Sequence, residues 1–200
     1  MRIGNMFAVC FFGVFFMLPL CSNALAASAE ERLTLAAPDK NGGKPLMQAL
    51  ALRATNRAIS QQMPSDQDLG NLFWAAWGVN RTDGRRTVPT ARNSQAVALY
   101  AVMSNGVWRY EGENHELIKV LDEDVRAKFG GAPLTLLFAA EEGPYAGMHV
   151  GSMYQNVGLY CASAGLSNVV KANGVSVLHA RLPLPPNYSI LIVQSLGVPK

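Results

Sequence analysis

The chain has 200 residues, enough for one domain. Half of them are hydrophobic, 16% are charged, and the net charge of +3 comes from 17 basic residues scattered along the chain. This excludes a disordered, collagen-like or disulfide-scaffold protein. It also provides no basic stretch for nucleic acid, so no nucleic-acid partner is expected.

The N-terminus reads as a targeting segment. Arg2 gives a weak positive start, Met6 to Leu20 is apolar, and Ser22-Asn23-Ala24-Leu25-Ala26 places small residues in an A-x-A pattern. The expectation is a secretory signal peptide over residues 1–26, cut after Ala26, and a secreted or periplasmic protein. The apolar run would span about 22 Å as a helix, short of the roughly 30 Å hydrocarbon core. Cys10 and Cys21 leave with it, and Cys161 remains alone. One cysteine makes no internal disulfide, so the fold must stand on packing, a ligand or a partner chain.

Residues 27–43 are small and polar and read as an extended arm; residues 44–200 read as the domain. Pro45 opens a predicted helix running to about Ala58, with Leu46, Met47, Leu50, Ala51, Ala54 and Ala58 on one face. Ser65 and Asp68 form a capping-box-like start. Leu69, Leu72, Phe73, Ala76 and Trp77 then recur at helical spacing, and Gly78 and Asn80 end the helix. Residues 80–94 form a polar loop, long enough to suggest a functional one.

Val97 to Met103 alternates as a strand, Asn105-Gly106 is a hairpin signal, and Val107 to Tyr110 returns. Leu117 to Leu121 adds a short strand, and Asp122 to Phe129 a short helix stopped by Gly130-Gly131. Leu134 to Ala140 is a continuous apolar run, as in a strand buried on both faces. Met148 to Ala164 is the longest helix. Met153, Val157, Tyr160, Cys161 and Ala164 form its apolar stripe. Gly151, Gly158, Ala162 and Gly165 form a small-residue stripe open to a close helix contact across a two-fold axis. Val169-Val170 and Tyr188 to Ser195 are further strands. The order of elements suggests an α+β or three-layer α/β domain.

No nucleophile elbow, zinc-binding H-E-x-x-H, C-x-x-C, P-loop or dinucleotide fingerprint is present. His115, His149 and His179 lie far apart without ligand-spaced neighbours, so no metal site is expected. Cys161 reads as a core hydrophobe. An enzyme built this way leaves the chemistry to a cofactor.

Three ordered segments carry a resemblance. The first is Arg53-Ala54-Thr55-Asn56-Arg57-Ala58-Ile59. The second is Arg86-Thr87-Val88-Pro89-Thr90-Ala91-Arg92-Asn93-Ser94-Gln95. The third runs from Gly151-Ser152-Met153-Tyr154-Gln155-Asn156-Val157 to Gly165-Leu166, then Val193 to Pro199. Together they resemble the FMN-dependent nitroreductase family, in its short bacterial branch related to the SagB-type dehydrogenases. The resemblance implies a mostly antiparallel central sheet flanked by helices, and a homodimer with two FMN sites at the subunit interface.

It further implies hydride transfer through bound flavin, from an electron donor such as NAD(P)H or a redox partner, to a small organic, nitro- or quinone-type acceptor. No catalytic side chain is required. The implied FMN-binding residues are Arg53, Ala54, Thr55, Arg57, Pro89, Thr90, Asn93, Gln95 and Lys171. Guanidinium forks match phosphate oxygens, so Arg53 and Arg57, one helical turn apart, are expected to converge on the phosphate. Asn93 and Gln95 carry the donor and acceptor pairs that a flavin ring edge requires. Ala54 replaces a larger polar residue of the family pattern. Two rival readings remain: a non-catalytic flavin- or ligand-binding module that kept the fold, and an interaction domain without flavin.

Overall fold

The computed structural model describes Met1 and residues 30–172 and 175–200. The expected signal peptide beyond Met1, the first residues of the arm, and Asn173-Gly174 lie outside the described residues.

Seven strands form one sheet in the order β1-β4-β3-β2-β5-β7-β6, and every neighbouring pair is antiparallel. They are β1 (Arg32–Thr34), β2 (Val97–Met103), β3 (Gly106–Glu111), β4 (Glu116–Leu121), β5 (Leu134–Glu141), β6 (Ser167–Lys171) and β7 (Tyr188–Gly197). Three helices accompany them: α1 (Leu46–Leu52), α2 (Asp66–Trp77) and α3 (Ala146–Ala164). The β2–β3 turn falls at Asn105-Gly106, where Gly106 takes φ +129°, beside the Leu121 carbonyl. β1 lies within the stretch read as an arm and closes one sheet edge against β4.

Successive side chains of a strand point to opposite faces, and both faces here are buried. Leu99, Ala101, Leu136 and Phe138 join Leu72, Phe73, Met153 and Val157 of α2 and α3 in one core. Tyr100, Val102, Leu137 and Val193 pack on the other face against Val125, Phe129, Leu178 and Leu182, which lie in short turns and irregular chain. The apolar run of β5 is buried throughout Leu134–Ala140, as its composition requires.

α2 begins at Ser65, whose side chain accepts from the Asp68 N–H at 3.1 Å. Asp66 and Asp68 place negative charge in its first turn, where the helix dipole favours it. Its periodic residues Leu69, Leu72, Phe73, Ala76 and Trp77 are all buried. α1 departs from the sequence expectation. It stops at Leu52, and Arg53 is already extended with ψ 114°. The reason is non-local. Asn56 N–H donates to the Asn168 carbonyl of β6, Ser60 N–H to Val198, and Lys200 N–H to Ala58. Ile59 bridges Pro199. The segment after Leu52 is thus tied to β6 and the C-terminal strand exit instead of to its own preceding turn.

Candidate functional site

A cavity of about 540 Å³ opens at the β6 edge of the sheet. The extended segment after α1 supplies Arg57, Ile59 and Gln61, β6 supplies Lys171, β7 supplies Ser195, and Lys200 closes it. Its lining contains three cations and no Asp or Glu. Lys171 is fixed: its Nζ donates to the Phe129 carbonyl at 2.9 Å and to Ser195 Oγ at 3.1 Å. Ser195 Oγ is hydrogen-bonded in turn to Thr135 Oγ1 at 3.0 Å, fully buried. Burial pulls the Lys171 ammonium below its ordinary pKa. An anion in the cavity would offset that desolvation.

Arg53 and Arg57 are not one helical turn apart, because the helix ends before both. Arg57 lines the cavity; Arg53 does not, and its stem lies along α3 beside Gly158. Ala54 and Thr55 are exposed on the connection between them. Gly158 is therefore occupied within the chain: a Cβ there would stand 3.8 Å from Arg53 Cγ and 4.0 Å from Asn168 Oδ1.

Pro89, Thr90, Asn93 and Gln95 lie on a separate loop, and none of them lines the cavity around Arg57. Arg92, Asn93 and Gln95 all take left-handed backbone, with φ of 55°, 53° and 50°. Non-glycine residues in that region each cost about 1–3 kcal/mol, and such strain clusters at functional sites. Several contacts hold the loop. Thr90 Oγ1 accepts from the Gln95 N–H at 3.1 Å. Gln95 Oε1 accepts from Arg86 Nε at 2.9 Å, and Gln95 Nε2 donates to the Gly84 carbonyl at 3.3 Å. The Gln95 amide is thus engaged in its own loop. Asn93 is exposed, and its Oδ1 accepts a long bond from Gln95 Nε2 at 3.5 Å.

Sequence reasoning missed two residues here. Arg86 anchors the loop through Gln95 and Glu113, and its guanidinium lies 5.4 Å from the Trp77 ring centroid. Gly112 leaves the space it occupies, since a Cβ there would meet Arg86 Nη1. His149, on α3, accepts the Ala91 N–H at 2.8 Å through Nε2. A signal existed: one turn back from Met153 on the buried stripe stands His149, and a buried polar ring needs a partner. Trp77 is core and Tyr154 packs edge-on against Phe138. Cys161 is buried with its thiol pushed up to about 12 by desolvation, as a core hydrophobe would be.

The site elements are thus an antiparallel sheet with helices on one face, a cavity at its edge with three cationic side chains and no Asp or Glu, and a strained polar loop. The sequence model of the Nitroreductase family matches residues 50–198. A crystal structure from Ralstonia eutropha, assigned as a nitroreductase, superposes with a TM-score of 0.78 at 32% identity, covering 86% of this chain and 91% of that one. A protein of Methanocaldococcus jannaschii, also assigned as a nitroreductase, is 29% identical over 130 residues, which span 52% of this chain and 66% of that relative. The FMN-bound nitroreductase of Bacteroides fragilis shares the fold at a TM-score of 0.56 and 14% identity, over 78% of this chain and 89% of that one. The chain belongs to the nitroreductase family.

Proposed function

We propose that the protein is an exported FMN-dependent oxidoreductase acting on a small organic acceptor of nitro or quinone type. The observation that carries this is the cavity lined by Arg57, Lys171 and Lys200 and by no Asp or Glu side chain. That donor set fits a phosphate monoester, since one Arg and two Lys line the same space. A family relative crystallised with FMN supports the choice of ligand.

Arg57, Lys171 and Lys200 would hold the phosphate. Asn93, on its strained loop, would present donor and acceptor to the ring edge. FMN, when bound, supplies the hydride chemistry, so the chain needs no acid, base or nucleophile of its own. The protein's part is to bind, orient and tune. Because the cationic cavity and the Asn93 loop do not share a lining within one chain, a second copy completes the site, and the working unit is a homodimer. The electron donor is NAD(P)H or a redox partner, and export, which separates the protein from the cytoplasmic NAD(P)H pool, favours the partner.

The test is spectroscopic. The purified protein is expected to show flavin absorbance and to bleach anaerobically with NAD(P)H or an artificial donor, then to recover on addition of a nitroaromatic or quinone. A colourless protein that takes up no FMN on dialysis against it would refute the reading.

A further inference from the structure

The one histidine buried in α3 has no part in the site as described so far. His149 is 5% exposed. A backbone N–H can only donate, so Nε2 of the ring accepts from Ala91 and the proton of the neutral ring sits on Nδ1. Ala91 stands immediately before Arg92 and Asn93, two of the loop's three left-handed residues. The ring is held in orientation by Tyr145, stacked at 6.3 Å and 27°. The groups facing the small cavity beside His149 are Arg92 and Ser94 from the loop, Glu141 and Glu142 from the end of β5, and Tyr145 from the start of α3. Among the described residues lining that cavity, His149 is the side chain that bonds to the loop's backbone.

We propose that His149 is a positioning residue whose neutral ring latches the 89–95 loop in its strained conformation, so that protonating the ring releases the loop. Protonation places a hydrogen on Nε2, and two N–H groups then face each other where one hydrogen bond stood. The turn at Arg92 and Asn93 keeps its own bonds, Asn93 N–H to Thr90 O and Ser94 N–H to Ala91 O, and loses the side-chain contact that fixes its start. Asn93 then no longer holds the place its function requires. This consequence for ligand rests on the reading of that loop as the ring-binding half of the flavin site. The latch itself does not.

The latch is tested on the full protein without flavin. In an isotope-labelled sample the Ala91 amide resonance is expected to move as the pH is lowered from about 8 to about 5.5. In His149→Gln, whose amide oxygen can accept the same N–H but does not titrate, the resonance is expected to stay put. An Ala91 resonance that stays put over that pH range, or that moves equally in His149→Gln, overturns the proposal. The second measurement is FMN affinity at the same two pH values. The wild-type protein is expected to weaken about tenfold more than His149→Gln, the scale of one lost hydrogen bond. Equal weakening overturns the role of the latch in binding. Failure of the wild-type protein to bind FMN refutes the flavin reading alone, because the Ala91 resonance still decides the latch.

Discussion

Arg57 and Arg53 show how much a single backbone break changes a residue's prospects. Both are exposed cations of one motif, yet only Arg57 lines the cavity shared with Lys171 and Lys200. A charge-assisted hydrogen bond to phosphate is worth about 1.5–3 kcal/mol, which is roughly ten- to a hundredfold in dissociation constant. Arg57→Ala is therefore expected to weaken FMN binding on that scale, and Arg53→Ala less, as read by quenching of flavin fluorescence. Equal losses would show that the two act as one unit. His115 is a second residue whose state is set by its surroundings. Its Nε2 can only donate to the Ala36 carbonyl, at 3.0 Å, so Nδ1 accepts from the Tyr110 hydroxyl at 2.8 Å. Desolvation holds its pKa below the ordinary value, against a smaller opposite pull from the Ala36 bond. The unfolded chain then binds the proton more readily than the folded one. Stability from this ring is full above the ordinary histidine pKa and is lost as the pH falls from there through the lowered folded value. Urea midpoints are expected to drop on acidification from about pH 7 to about pH 5, with a shallower slope in His115→Gln. Identical slopes would remove His115 from the account.

The elements differ in how openly the sequence announced them. α2 was legible because a cap, a first-turn charge and a five-residue apolar stripe all agree. The β2–β3 hairpin was legible from Asn105-Gly106, and β5 from an apolar run too short for a helix and buried on both faces. α1 was read too long because Ala54 and Ala58 continue the helical spacing, while the bonds that stop it come from Asn168 and Val198, more than a hundred residues away. The split of the site into a cavity and a separate loop was hidden for the same reason: spacing gives neighbours along one element, not which edge of a sheet a loop reaches. Two helical glycines now make opposite predictions. At Gly158 a methyl group would meet Arg53 and Asn168 at ordinary contact distance, so Gly158→Ala is expected to stabilise α3 by about 0.5–1 kcal/mol. At Gly70 a methyl group would drive into the Ala36 carbonyl oxygen, which is backbone held by His115. Gly70→Ala is expected to cost about 1–3 kcal/mol. Denaturant melts of the two variants check both signs, and a destabilised Gly158→Ala would return the small-residue stripe to an intermolecular role.

At the scale of the whole molecule the least settled surface is α1. It has seven residues, and helices that short do not persist in water on their own propensity. Ala49 is its one buried residue, while Leu46, Met47, Leu50 and Leu52 are each at least 43% exposed. A second copy of the chain is the occupant proposed for this face, because in the proposed flavin site the Asn93 loop does not line the Arg57 cavity. Burying one such side chain contributes about 1.5–3 kcal/mol. Replacing Met47 and Leu50 by Glu is thus expected to weaken association by roughly a hundredfold or more, while leaving the sheet and the core around α2 untouched. Sedimentation should show the wild-type protein as a dimer and the double variant as a monomer over the same concentrations. Flavin content should fall in step with the dimer, since half of each site would be lost. A wild-type monomer carrying a full complement of FMN would overturn the shared site. A monomeric variant that keeps its flavin would place the interface on α1 but the whole site within one chain.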